Sequence, residues 1–162
     1  MLHAVYVAKF IAREEWIVAG DGNGCIHVFG YDEYQDTTSF EAHNGQIMSL
    51  AVHPKNSYVL SSSHEDHLIK LWHWDKYWDF EKGPWVCTRT FEGHSNKVSH
   101  AIFNPDGTDS FASASWDGTV KVCVYARFRI LFNPLRTFCG LLTFDRYEIY
   151  SIVWYGVRSK FL

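Results

Sequence analysis

Apolar and polar positions fall into short runs separated by turn residues. Ile47–Val52 is apolar and β-branched and stops before His53-Pro54. Residues 58–62 follow a Lys55-Asn56 turn, and residues 68–74 follow His64-Glu65-Asp66. The same order returns as Val98–Phe103, a Pro105-Asp106-Gly107 turn, residues 110–114, an Asp117-Gly118 turn and Thr119–Val124. Runs of this length between such turns predict β-hairpins in an antiparallel meander. No segment of ten or more residues combines a 3.6-residue period with caps, so little helix is expected.

The runs are copies of one unit. Phe40-Glu41-Ala42-His43 returns as Phe91-Glu92-Gly93-His94 at an offset of 51, held without a gap for over thirty residues. Pro54 falls on Pro105, Ser62 on Ser113, Asp66 on Asp117 and Lys70 on Lys121. A weaker copy lies 43 residues earlier, where residues 25–29 match 68–72; the difference marks an insertion near 77–84. Such a period is the mark of a repeat architecture. The repeat region covers 1–125, with units around 4–31, 40–76 and 91–125, and leaves 126–162 apart.

Composition narrows the class. With 47% hydrophobic and 20% charged residues among 162, the chain is globular rather than disordered. A net charge of −3 gives no basic excess for nucleic acid. No apolar run reaches the ~18 residues of a membrane helix, so no direct membrane insertion is expected. The N-terminus lacks the pattern of a secretory signal. Cys25, Cys87, Cys123 and Cys139 are far apart, lie among apolar neighbours and form no C-x-x-C pair. They read as buried thiols in a reducing compartment.

Sites of chemistry are sparse. His43, His53, His64, His67 and His73 are close in sequence, but no three have a telling zinc spacing, so no metal or other cofactor is expected. Asp21-Gly22-Asn23-Gly24 begins like a calcium loop but has Cys25 and Ile26 where an oxygen ligand and a glycine belong, and reads as a hairpin turn. Nucleophile-elbow, zinc-protease and P-loop motifs are missing, so an enzyme is not expected. Trp72, Trp74, Trp78 and Trp85 form the densest aromatic group. Trp72 reads as core, Trp74 and Trp85 as packing on outer strands, and Trp78 as a partner contact.

His43, Asp66 and Trp72, spaced 23 and then 6 apart, resemble a WD40 repeat. The resemblance implies an all-β fold: a partial WD40 β-propeller of about three incomplete blades of antiparallel strands, with an irregular C-terminal tail. It also implies a hydrogen-bonded chain within each blade: His43, Ser62, Asp66 and Trp72 in the second, and His94, Ser113 and Asp117 in the third. Cys123 stands at the third Trp position. The first blade has Asn23 for the Asp, Ala19 for the Ser and Phe29 for the Trp. Such residues tie a blade together, because a carboxylate near buried backbone needs imidazole, hydroxyl and indole donors.

An ordered run of words is more specific. It includes residues 9–13, 16–20, 40–43, 51–54, 58–63, 68–72, 74–76, 91–95 and 111–115. In this order they resemble the N-terminal propeller of the coatomer β′ family, over about residues 7–125. The resemblance implies a non-enzymatic coat component of COPI-type transport between Golgi and ER, cytoplasmic and peripheral on Golgi membranes and vesicles. Its implied partners are other coatomer subunits and the dilysine tails of cargo. Tyr6, Gly45, Met48 and His64 replace charged family positions, so dilysine binding is not expected of this chain. Lys9, His64 and Trp78 remain candidate partner-binding residues. The rival reading is a general WD40 adaptor unconnected with vesicles. After Tyr125 the repeat motifs stop. The tail reads as divergent strands over an open edge or, the reading favoured, as the frame-shifted end of a truncated gene product. Open blade faces also predict marginal stability for the isolated chain.

Overall fold

The computed structural model describes the backbone of residues 3–31, 38–74, 85–125, 138–145 and 148–155, and the side chains of the first three stretches. The first blade is β1 (Val5–Ile11), β2 (Trp16–Asp21), β3 (Cys25–Gly30) and β4 (Thr38–Glu41), paired in that order. The second is β5 (Ile47–Val52), β6 (Tyr58–Ser63), β7 (Ile69–Trp74) and β8 (Trp85–Phe91). The third is β9 (Val98–Phe103), β10 (Ser110–Ser115) and β11 (Thr119–Val124). All pairings are antiparallel, as the alternating runs and tight turns require. In the region expected as an irregular tail, the backbone of β12 (Phe138–Asp145) and β13 (Glu148–Tyr155) extends the third sheet beyond β11.

β1, β5 and β9 pack side by side and align the three sheets as neighbouring blades. Burial follows from this stacking. In β6 every residue from Val59 to Ser63 is buried, because blades cover both faces of the second sheet. β9 and β10 lie at the end of the stack among the side chains described, and there burial alternates with the strand period. Two core layers result. Ile11, Val18, Ile26, Ile47, Val59, Trp72 and Trp74 pack between the first and second blades. Leu60, Leu71, Val98, Phe103, Phe111 and Tyr125 pack between the second and third. Each large apolar side chain fully buried this way contributes about 1.5–3 kcal/mol.

Trp74 and Trp85 are 1% and 8% exposed, with ring centroids 5.3 Å apart, and both meet Trp16 of the first blade. Arg13, in the helical turn Ala12–Glu14 after β1, spans the same junction. Its guanidinium sits 4.9 Å over the Trp74 ring, and Nη1 donates to the His53 carbonyl at 3.3 Å. Polar bonds join the next pair. Ser49 Oγ donates to the Ala101 carbonyl and accepts from the Ala101 amide, and Ser62 Oγ donates to the Val98 carbonyl at 3.1 Å.

Candidate functional site

The polar network of the second blade joins its two ends. His43 lies in the connection from β4 to β5 and Asp66 in the β6–β7 turn. His43 Nδ1 is 2.8 Å from Asp66 Oδ2, and His43 Nε2 is 2.6 Å from Ser61 Oγ. The Trp72 indole Nε1 donates to the same Ser61 oxygen at 2.8 Å. These partners assign the roles: His43 gives an N–H to the carboxylate, Ser61 gives its hydroxyl proton to the other ring nitrogen, and the indole fills the serine oxygen. The amides of Leu68 and Asn44 also donate to Asp66. Burial works to raise the Asp66 pKa, but the His43 bond and the Leu68 and Asn44 amides hold it below its ordinary value.

Ser61, not Ser62, occupies the centre of this network. Successive strand residues face opposite sides of the sheet, so Ser62 points to the third blade and Ser61 to His43. The correction comes from strand register. In β6, Ser61 pairs with Lys70, whereas in β10 it is Ser113 that pairs with Lys121. Lys70 and Lys121 are 51 apart, but Ser61 and Ser113 are 52 apart.

The third blade repeats the pattern without its last member. His94 Nδ1 is 2.7 Å from Asp117 Oδ2, and His94 Nε2 is 2.9 Å from Ser113 Oγ. Cys123, buried at 4% exposure, occupies the place of the tryptophan and the second core layer. Thr119 stands where the second blade has Leu68, and its hydroxyl donates to Asp117 Oδ1 at 2.6 Å. Burial works to raise the Asp117 pKa. The Thr119 hydroxyl, His94 and the Ser95 and Thr119 amides overcome that and hold it far below the ordinary carboxylate range. His94 is also lowered, because burial outweighs the neighbouring Asp117.

The first blade solves the same problem differently. Asp21 is 3% exposed and accepts from the Asn23 amide at 2.9 Å, the Cys25 amide at 2.8 Å and His27 Nε2 at 3.1 Å. Asn23 thus contributes backbone rather than a carboxylate, and Phe29 is 41% exposed. Sequence reading missed Asp21 as an anchor. The available signal was a short acid two residues before a turn amide, the pattern of an Asx turn.

The candidate partner residues are dispersed. Lys9 is exposed on β1, and His64 sits in the β6–β7 turn with Nδ1 3.0 Å from Glu65 Oε1. Trp78 and the insertion near 77–84 lie outside the described residues. Of the positions that replace family charges, Tyr6 is 57% exposed and Met48 is half-buried on β5. Gly45 has φ +108°, and a Cβ there would lie 2.0 Å from Glu65 Oε2, so the Glu65 carboxylate occupies the space a side chain would need. Of the cysteines, Cys123 is buried as expected. Cys87, read as buried, is exposed on β8, the edge strand of the second sheet farthest from β5; Cys25 is half-buried. Among the described residues no group of three or more His, Cys, Asp or Glu side chains could hold a metal ion. No helix among them is long and apolar enough to cross a membrane.

A Ser–His–Asp chain can serve nucleophilic catalysis when its serine faces a substrate. Ser61 is 0% exposed, and its oxygen is engaged by the Trp72 indole. The networks therefore fasten turns to strands. Sheets stacked through their inner strands, two of them fastened this way, define a partial WD40 propeller. The family model described as "WD domain, G-beta repeat" matches residues 34–73 and 85–123, so the chain carries WD40 repeats.

The chain is also similar to "Coatomer subunit beta'-1" of Arabidopsis thaliana, at 58% identity over 45 residues. It is 60% identical over 45 residues to "Coatomer subunit beta'-2" of Oryza sativa subsp. japonica, and 47% identical over the same length to "Coatomer subunit beta'" of Rattus norvegicus. Each match covers 28% of this chain and 5% of the relative. The chain thus matches only a small part of the length of these relatives.

Proposed function

We propose that the chain serves as a non-enzymatic scaffold segment of a COPI-type vesicle coat, moving protein cargo between Golgi and ER. The reading places it on the cytoplasmic side of Golgi membranes with other coatomer subunits as partners. The observation that carries it is the 58–60% identity over 45 residues to plant coatomer β′ subunits. Lys9 and His64 are proposed as contacts for a partner. Dilysine cargo is not proposed as a ligand, because Tyr6, Gly45, Met48 and His64 bring no carboxylate or guanidinium to the positions that would need them.

Affinity purification of the tagged 162-residue chain from cells tests the proposal. Recovery of several coatomer subunits together, with the tagged chain on Golgi membranes, is the expected result. Purification without any coatomer subunit, or with a stable set of unrelated partners, would replace it with a general WD40 adaptor role.

A further inference from the structure

A cleft of about 440 Å³ opens between the second and third blades. Its wall includes Tyr58 and Leu71 from the second blade, Arg89 on β8, Asp109 in the β9–β10 loop and Tyr125 at the end of β11. Among the described residues, two buried donors in this wall have no hydrogen-bond partner: Arg89 Nη1 and Tyr125 Oη.

Packing accounts for the Tyr125 ring but not for its hydroxyl. The residue is 4% exposed, and its ring meets Phe103, Phe111 and Tyr58 at centroid distances of 6.0, 6.2 and 6.3 Å. A phenylalanine would make the same contacts. A buried hydroxyl without a partner is a cost to the free protein, and an unpaired guanidinium nitrogen is a larger one. An acceptor in the cleft that bonded both atoms would remove both costs.

The donors define that acceptor. Guanidinium has donors only, and the phenol stays protonated, because burial, Asp109 and Tyr58 hold its pKa above the ordinary value. One cationic group and one neutral donor, with the Asp109 carboxylate in the same wall offsetting part of the positive charge, limit the acceptor to a single negative charge, and two oxygens would meet both donors. The Asp109 carboxylate beside them disfavours a dianion such as phosphate. A volume near the lower end of small-ligand sites admits one side chain with its flanking backbone.

We propose that this cleft binds the side-chain carboxylate of an aspartate or glutamate in a partner peptide, held by the Arg89 guanidinium and the Tyr125 hydroxyl. The probe is an N-acetylated, C-amidated Gly-Gly-Glu-Gly-Gly peptide, with its Gln counterpart as control. Both are titrated into the full chain while the Arg89 side-chain N–H and Tyr125 ring signals are followed by NMR. The Glu peptide is expected to shift both signals and to bind at least about tenfold more tightly than the Gln peptide. Tyr125→Phe is expected to weaken the Glu peptide about tenfold and to raise Tm, because it removes an unsatisfied hydroxyl. Arg89→Gln, on a strand whose preceding residues 86–88 are exposed, provides a second variant that folds and loses the response. Equal binding of the two peptides, no shift with either, or a Tm lowered by Tyr125→Phe would overturn the assignment.

Discussion

In the second blade a hydrogen-bonded chain runs from the Asp66 turn through His43 and Ser61 to the Trp72 indole. In the third it runs from Asp117 through His94 to Ser113, and Cys123 offers no indole N–H to continue it. The third blade holds its turn more firmly instead. Thr119 adds a hydroxyl donor to Asp117 that Leu68 cannot give to Asp66. Fastening the turn and fastening the core are thus separate functions of one network. A blade covered on both faces performs the second with a tryptophan. The third blade, with an alternating burial pattern, does so with a cysteine.

The largest effect that distinguishes the blades is expected at the end of the chain. Trp72→Ala opens a cavity in the first core layer and strands the Ser61 oxygen, at a cost of about 3–5 kcal/mol. Cys123→Ala removes a small side chain and costs about 1 kcal/mol. Urea unfolding of both variants checks this, and equal losses would break the comparison. Next come the histidines. His43→Ala leaves the buried Ser61 hydroxyl without its acceptor and Asp66 without its imidazole donor, and is expected to cost about 3 kcal/mol. His94→Ala is expected to cost about 2 kcal/mol, because the Thr119 hydroxyl and two amides still hold Asp117.

Acid separates the blades further. Asp66 and Asp117 have folded pKa values below the ordinary 3.8, so the unfolded chain binds their protons first. Their contribution is present above that value and is lost as pH falls below it. His94 is lowered from 6.5, so the unfolded chain also protonates first there, and stability declines as pH drops below 6.5. His53, lowered by burial, adds to the same window. Stability measured against pH is therefore expected to fall in two steps, and His94→Gln is expected to shrink the upper step. An unchanged upper step would contradict the assignment. The smallest effect is local. Gly118 has φ +80°, and among the described residues no atom lies within 4 Å of a Cβ placed there, so Gly118→Ala tests backbone strain, at about 1 kcal/mol. His67, at φ 58° in the matching turn, already bears that strain, and His67→Gly is expected to change stability by less than about 0.5 kcal/mol.

Strands, turns and two of the three polar anchors were legible in the sequence. Alternating runs and Asp-Gly or Pro-Asp-Gly turns leave little choice of fold. The identity of the central serine was not legible, for a definite reason. The loop from Phe103 to Phe111 is one residue longer than that from Val52 to Val59, and the turn from Ser61 to Asp66 is one longer than that from Ser113 to Asp117. The two changes cancel, so the offset of 51 looks unbroken while β6 is slipped by one residue between them. A one-residue slip reverses the facing of every side chain in a strand. The Asp21 anchor was hidden because its donors are backbone amides. The cleft was hidden because Arg89 and Tyr125 lie far apart in sequence and meet only across a blade junction.

The most direct test of the network is a pair of double-mutant cycles read by equilibrium unfolding. One combines Ser61→Ala with Trp72→Phe, the other Ser62→Ala with Trp72→Phe. Coupling of about 1 kcal/mol or more in the first cycle, and near zero in the second, is the result the structure predicts. Coupling of Trp72 to Ser62 rather than Ser61 would contradict it.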